Sequence, residues 1–363
     1  MKKLILIIAL TAAAVCAYCA DKTMAELNPE FEERMVQALR PKNVTVFGYQ
    51  SEVPPFALYH FTDIHSDAGV LARNIAFYET YRKYFDDIIC TGDMVMDSMV
   101  TDFTFWGKTP GHEKVMFLMG NHETLRDHNN WQGDHIWDNQ STMAECYNHY
   151  FAPYIKAWNV VNKPGTTYYY KDYDAKKVRF IVMDGMLRLS KEPRAAAGQL
   201  SWIKKTLAGA KEKDFSVLIA VHHSINDPIK IECNFTDADA GLGWDFEDCY
   251  LYQKAVDDFM TEGGKFVCWI GGHTHKDLIL VNKAYPKQID ITVSSASGWI
   301  TSAYADMNRN GGMKCQDLAN ALVIDTGRNL IKIIRVGANM DSRMRPRNGI
   351  TLNYVTQEII SQY

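Results

Sequence analysis

Apolar residues recur along this chain in short unbroken runs, separated by longer stretches with a helical beat. Phe56–Phe61, Ile88–Thr91, Val115–Met119, Val217–Val221 and Phe266–Ile270 are rich in β-branched and aromatic residues and are bounded by turn formers. That pattern predicts strands buried on both faces. Between the first two, Leu71, Ile75, Tyr78 and Phe85 recur at helical spacing, so a strand–helix–strand unit with a parallel crossover is expected. Gln199-Leu200-Ser201-Trp202-Ile203 opens a helix running to about Lys213, and Phe246–Met260 reads as another. Tyr168–Tyr173 and Val178–Met183 read as paired or adjacent strands. Leu278–Val281, Ile291–Ser294, Ala321–Asp325 and Leu330–Val336 suggest a second sheet. Met24–Leu39 has helical composition and ends at Pro41, Val44–Phe47 reads as an edge strand, and Thr142–Trp158 is helical with a break at Pro153. The polar stretches Glu123–Ser141 and Ile225–Trp244 read as loops, and a weakly patterned tail follows Gly337–Gly349. The alternation predicts a layered α/β core with its site at the strand ends.

The residues that end the five apolar runs are of one chemical kind. Asp63 and His65 follow the first, Asp93 the second, Asn121 and His122 the third, His222 the fourth, and His273 and His275 the fifth. Any one of these alone is ordinary turn chemistry. Together they deliver oxygen and imidazole donors to one edge, as a two-metal site requires, with one carboxylate shared between ions about 3.5–4 Å apart. Asp93 is the candidate for that shared ligand. Asp63/His65 and His273/His275 have the same i, i+2 spacing, and Gly271-Gly272 permits close backbone approach to the second pair. Asn121 offers a neutral oxygen, which limits negative charge beside an anionic substrate.

Composition narrows the class. The chain has 363 residues and a net charge of -4, which suits one large domain and gives no basic patch for nucleic acid. Met1-Lys2-Lys3 followed by a short apolar run to about Val15 reads as a secretory leader, too short to span a bilayer. The expected organisation is a leader at 1–19, an N-terminal extension at 20–54, a catalytic domain at 55–336 and a tail at 337–363. Cleavage after Ala17 or Cys19 gives an exported protein, periplasmic, secreted or at the cell surface. A lipid on Cys19 is the one route to membrane contact, and its flanking residues fit a lipobox poorly. In an oxidising compartment Cys233 and Cys249 flank a loop and are candidates to pair, whereas Cys90 and Cys268 lie in apolar strands and read as buried free thiols. No Cys-x-x-Cys spacing supports a thiolate zinc site.

Several neighbouring residues have blander readings. Asp67 and Asp97 suit helix caps or turns. His128, Trp131, His135 and Trp137 either line a cleft or pack a loop on itself. Asp237 and Asp239 read as loop solvation, and Tyr168-Tyr169-Tyr170 as strand packing.

Asp63-Ile64-His65, Gly92-Asp93, Gly120-Asn121-His122-Glu123, Val221-His222 and Gly271-Gly272-His273-Thr274-His275 resemble, in order and strand context, the five motifs of the calcineurin-like metallophosphoesterases. The resemblance implies a four-layer α/β/β/α sandwich with two mixed sheets and the site at the C-terminal ends of the strands. It implies two divalent ions (Mn, Fe, Zn or Co), one held by Asp63, His65, Asp93 and His275, the other by Asp93, Asn121, His222 and His273. His122 then stands near the leaving group as proton donor or transition-state stabiliser, or orients a ligand. A hydroxide bridging the metals attacks phosphorus in line, in a phosphomonoester or phosphodiester of small-molecule size. The alternatives are metal-assisted hydrolysis of a non-phosphate ester, or a metal-binding member without catalysis. Met96 stands where the purple acid phosphatase branch has a tyrosine ligand, which argues against a charge-transfer iron site. His223-Ser224 replaces a frequent proline, so His223 competes with His222 for the ligand role; His222 directly ends its strand.

Overall fold

The continuous apolar runs lie in strands covered on both faces, which is why they lack the alternation of a half-solvated strand. The computed structural model describes residues 23–40, 53–96, 103–124, 141–185, 197–223, 246–273, 275, 278–281, 285–293, 296, 318–337 and 349–362. The leader, Val44–Phe47, Asp97, the aromatic and histidine residues between 128 and 137, and the insert Ile225–Trp244 with Asp237, Asp239 and Cys233 lie outside the described residues, as does the side chain of Cys249.

In chain order, α1 (Met24–Leu27) and α2 (Phe31–Leu39) precede β1 (Phe56–Phe61), α3 (Ala68–Thr80) and β2 (Asp87–Cys90). Then come α4 (Thr104–Lys108), β3 (Val115–Phe117), α5 (Met143–Cys146), α6 (Ile155–Trp158), β4 (Val161–Asn162) and β5 (Tyr169–Tyr173). The middle of the chain alternates β6 (Val178–Val182), α7 (Ala197–Glu212), β7 (Ser216–Ala220), α8 (Phe246–Thr261) and β8 (Lys265–Gly271). The remaining strands are β9 (Leu278–Val281), β10 (Ile289–Thr292), β11 (Leu318–Asp325), β12 (Leu330–Gly337), β13 (Gly349–Asn353) and β14 (Ile359–Gln362).

Among the described residues these strands form two seven-stranded sheets, ordered β14-β13-β12-β11-β1-β2-β3 and β4-β5-β6-β7-β8-β10-β9. β1, β2 and β3 are parallel, as are β6, β7, β8 and β10, with antiparallel strands on the flanks, so both sheets are mixed. The sheets face one another. Phe56 of β1 meets Tyr173 of β5 at 4.5 Å between ring centroids, and the Tyr169 hydroxyl donates to the Phe117 carbonyl at 2.9 Å. Lys171 reaches Asp87 across the same gap at 2.7 Å. On the outer side of the second sheet, Ile203 and Leu207 of α7 and Tyr252 and Val256 of α8 pack on Val217, Ile219 and Trp269. On the outer side of the first, Phe77 of α3 stacks on Tyr59 at 5.5 Å, and Phe31 of α2 lies edge-on to Phe77 at 4.9 Å. Helices therefore cover two face-to-face sheets.

The structure departs from the sequence reading at several elements. Met24–Leu39 is two helices, because Pro29 lacks an N–H and disfavours the helical conformation at Asn28. Phe85 lies beyond α3 rather than on it. The expected strand Ile291–Ser294 runs instead over Ile289–Thr292. Of the four C-terminal runs assigned to a second sheet, β11 and β12 return to the first sheet, where β11 pairs antiparallel with β1. The stretch 349–362, read as a weakly patterned tail, contributes β13 and β14. Cys90 and Cys268 are buried free thiols, and Tyr168–Tyr170 serve packing, with Tyr168 on Trp202 at 4.7 Å.

Candidate metal centre

The parallel strands β1, β2, β3, β7 and β8 release their chains at one edge of the sandwich, and the loops there are zipped together by backbone hydrogen bonds. Asp63 N–H donates to the Gly92 carbonyl at 3.0 Å, His65 N–H to that of Asp93 at 3.0 Å, and Ser66 N–H to that of Met94 at 2.8 Å. Gly272 N–H donates to the His222 carbonyl at 2.9 Å. The conformation these bonds hold is unusual. Asp63, His65, Asp93, His273 and His275 all have φ between 47° and 63°, in the left-handed region that non-glycine residues seldom adopt. Such backbone costs on the order of 1–3 kcal/mol per residue and clusters at functional sites. In the Asp63/His65 pair the two left-handed residues curl the loop so that both side chains reach one donor group, whereas His273 and His275 are divided between two.

Asp63, His65, Asp93 and His275 form one group of donors, and Asp93, His222 and His273 a second; within each group the ligand atoms lie within 4.8 Å of one another. In the first, His275 Nε2 is 3.1 Å from Asp63 Oδ1 and 3.2 Å from His65 Nε2. In the second, His222 Nε2 stands 3.1 Å from Asp93 Oδ2. Asp93 is common to both. Asn121 directly precedes His122, and its Oδ1 is buried and, among the described residues, without a hydrogen-bond partner, which a metal ion would supply. The two ring nitrogens of His222 do different work. Nδ1–H donates to the Thr91 carbonyl at 2.7 Å, which sets the tautomer and leaves Nε2 facing Asp93. His223 packs its ring on His273 at 4.1 Å instead of joining either group.

His122 lies at the rim of the first group, its ring 4.9 Å from that of His65. Its Nδ1–H donates to the Met96 carbonyl, so Nε2 is the atom turned to the centre, 3.7 Å from Asp93 Oδ2. Close approach depends on glycine at several of these loop positions. A Cβ at Gly272 would lie 2.1 Å from the Thr62 hydroxyl, and one at Gly92 (φ 98°) 2.5 Å from His222 Nδ1.

The protonation pattern suits cation binding. Burial, reinforced by neighbouring imidazoles, drives His65 and His273 down to about 3, so both rings present neutral lone pairs. For His222, burial pulls the same way but the Asp93 carboxylate outweighs it and raises the ring to about 9. Burial works against ionisation of Asp93, yet His222 and its other imidazole neighbours hold it well below the usual carboxylate range; Asp63 is likewise lowered, chiefly by His275. A dense cluster of carboxylates and imidazoles inside a protein is expensive unless something binds there.

One residue was named in a motif of the sequence but given no role. Glu123 appears in the chain as the first polar position of a long loop, but its side chain is enclosed and accepts backbone N–H groups from Asp93, Val95 and Gly120. Burial and the Asp93 charge push it up to about 8. Its place directly after Gly120-Asn121-His122 was the available signal. Asp67 caps α3 through its Oδ1 and the Val70 N–H at 3.0 Å.

Comparison with known proteins comes to the same region. The model of the calcineurin-like phosphoesterase family matches residues 56–277, well over half of the chain. No curated protein matches the sequence. Among solved structures, the chain is similar to a dimetal phosphatase from Danio rerio (12% identity, 82% of this chain and 99% of that chain, TM-score 0.49). It is also similar to the phosphopantetheinyl hydrolase of Mycobacterium tuberculosis (14% identity, 66% and 90%, TM-score 0.35) and to a phosphatase from Mycoplasma pneumoniae (11% identity, 85% and 92%, TM-score 0.34).

Proposed function

This chain belongs to the calcineurin-like phosphoesterase family, and from that premise we propose that it is an exported, metal-dependent phosphoric ester hydrolase. The observation that carries the reading is the pair of donor groups meeting at Asp93. Asp63, His65, Asp93 and His275 would hold one divalent ion, and Asp93, Asn121, His222 and His273 the other. The mixed oxygen and nitrogen donors suit Mn, Fe, Zn or Co. Two such ions supply Lewis acidity at the phosphoryl oxygens and an activated water at neutral pH.

The protein's own groups prepare that chemistry. Neutral His65 and His273 offer lone pairs without first losing a proton, whereas His222, raised to about 9, must release one on loading. The Thr91 carbonyl keeps the His222 ring from turning as that proton leaves. His122, with Nδ1 committed to the Met96 carbonyl, holds or moves a proton at Nε2, where it serves a departing alkoxide or phenoxide. The substrate is a small phosphomonoester or phosphodiester attacked in line. The N-terminal leader supports export; an intact-mass measurement on mature protein showing residues 1–19 still attached would count against it.

The test is a Mn-reconstituted activity screen over phosphomonoesters, phosphodiesters, cyclic nucleotides and carboxylic esters. Turnover of a phosphate ester is expected, with Asp93→Ala reduced to background. His122→Ala should lose on the order of 10²–10⁴-fold in kcat while keeping its metal. Undiminished turnover in Asp93→Ala, or turnover of carboxylic esters alone, would overturn the assignment.

A further inference from the structure

Glu123 is a buried carboxylate that the chemistry above leaves without a task. It sits on the single helical turn His122–Thr124 that follows β3, with no solvent contact. Its Oε2 accepts the N–H of Gly120 at 2.6 Å and that of Asp93 at 3.0 Å, and its Oε1 accepts the N–H of Val95 at 3.0 Å. One side chain therefore fastens the loop after β2 to the loop after β3. The first loop carries the shared ligand Asp93; the second carries Asn121 and His122.

The surroundings are shaped to admit this clamp. A Cβ at Gly120 would fall 2.2 Å from Asp93 Oδ1 and 2.8 Å from Glu123 Oε2. The His122 N–H donates to Asp93 Oδ1 at 3.2 Å, so Asp93 is gripped twice from the same turn: its backbone through Glu123, its side chain through His122. Asp93 is also left-handed, with φ 50°, a conformation that relaxes unless its peptide groups are held. Stability alone gives no reason to bury a second carboxylate beside Asp93, since a well-packed apolar residue avoids the desolvation and the repulsion. Fixing a direction does give one. A carboxyl group turns two acceptor oxygens to these three N–H groups, whereas a glutamine must point an NH2 at one of them.

We propose that Glu123 is a positioning residue that sets the angle of the shared carboxylate Asp93 by holding the N–H groups of Asp93, Val95 and Gly120 on one side chain. This rests on the two-metal reading above. A shift of Asp93 by a fraction of an ångström would change what its carboxylate offers to the ions, so the effect would be felt in metal affinity and in the coupling between sites before it is felt in substrate binding.

The experiment compares full-length wild type, Glu123→Gln and Leu352→Ala. Leu352 is a buried residue of β13, separated from β1 by β11 and β12, and its truncation serves as a destabilised control remote from the site. Mn²⁺ binding is read by calorimetry, the exchange coupling of the Mn pair by electron paramagnetic resonance, and kcat and KM on a chromogenic phosphodiester. Glu123→Gln is expected to bind the second Mn²⁺ about 10–100-fold more weakly, the range usual for groups that orient metal ligands. Its coupling signature should change, and kcat should fall with KM nearly constant. Leu352→Ala should lower Tm and leave affinity and coupling alone. Wild-type affinity and coupling in Glu123→Gln, or an equal loss in Leu352→Ala, would overturn the proposal. If Glu123→Gln does not fold, Glu123→Asp takes its place; failure of both to fold with Mn²⁺ present assigns the residue to the scaffold and also overturns it. Fewer than two Mn²⁺ bound by wild type would instead defeat the two-metal reading itself.

Discussion

His65 and His273 show how far burial can move a single side chain. Both imidazoles sit at about 3, whereas the same rings in an unfolded chain titrate near 6.5. In the metal-free protein the unfolded state therefore binds protons first as pH falls. The stability these rings contribute is complete above about 6.5 and drains away toward 3, at about 1.4 kcal/mol per pH unit for each ring. His222, raised to about 9, acts in the opposite sense: its contribution is present below 6.5 and is lost as pH rises through 9. Glu123, raised to about 8, acts in the same sense as His222 and offsets the loss on the acid side. The two rings therefore show best by difference: with a chelator present, His65→Gln should lose less stability than wild type from pH 7 to pH 5 in urea unfolding, and excess Mn²⁺ at pH 7 should raise the wild-type midpoint by mass action. An equal change in both proteins would mean that the His65 ring is not buried as described. At this scale the candidate donors were legible in the sequence because each follows a run of apolar residues. Glu123 was not, because a polar residue opening a polar stretch looks the same whether it faces solvent or three backbone N–H groups.

The unit that builds the site is a strand followed by a loop of left-handed residues. Parallel strands end at a common edge, and their backbone pairing continues past the last residue of β1 and β2 through the Asp63–Gly92 and His65–Asp93 bonds. Gly92 is where two such units come closest. Gly92→Ala combines a φ of 98° with a Cβ 2.5 Å from the His222 ring, so the ring must move. We expect a loss of about 1–3 kcal/mol in stability and a weaker second metal site, read by thermal melting and by Mn²⁺ titration. Retention of both would show that the loop has room to spare. The strands β1, β2, β3, β7 and β8 could be read from composition because burial on both faces leaves an uninterrupted apolar run. The break at Asn28-Pro29-Glu30 was hidden by good helix formers on either side. β13 and β14 were hidden because Thr351, Asn353 and the exposed Ile359 and Ile360 make a weak pattern, and only pairing with β12 gives it meaning.

At the scale of the molecule, residues before and after the family match complete the first sheet and its cover. β11 to β14 extend that sheet from β1, and α2 closes its outer face with Phe31, Met35 and Ala38 buried. Phe31 touches Phe77, Tyr81 and Phe85 with centroids 4.9 to 6.2 Å apart, so Phe31→Ala should cost about 3–5 kcal/mol and lower Tm without changing Mn²⁺ stoichiometry. A near-silent substitution would show that α2 rests on the sheet without stabilising it. What the chain's residue order determined by itself was the set of buried strands and the donor atoms at their ends, since both are local: an apolar run and the residue that stops it are neighbours in sequence. Which donors stand within reach of one another, which ring nitrogen of His222 faces Asp93, how Asp93 is held and where the last strands pair were visible only in the tertiary structure. Each depends on groups from separate strands meeting at one edge, with Asp63 and His275 brought to 3.1 Å across the two sheets. No periodicity along the chain encodes a distance of that kind.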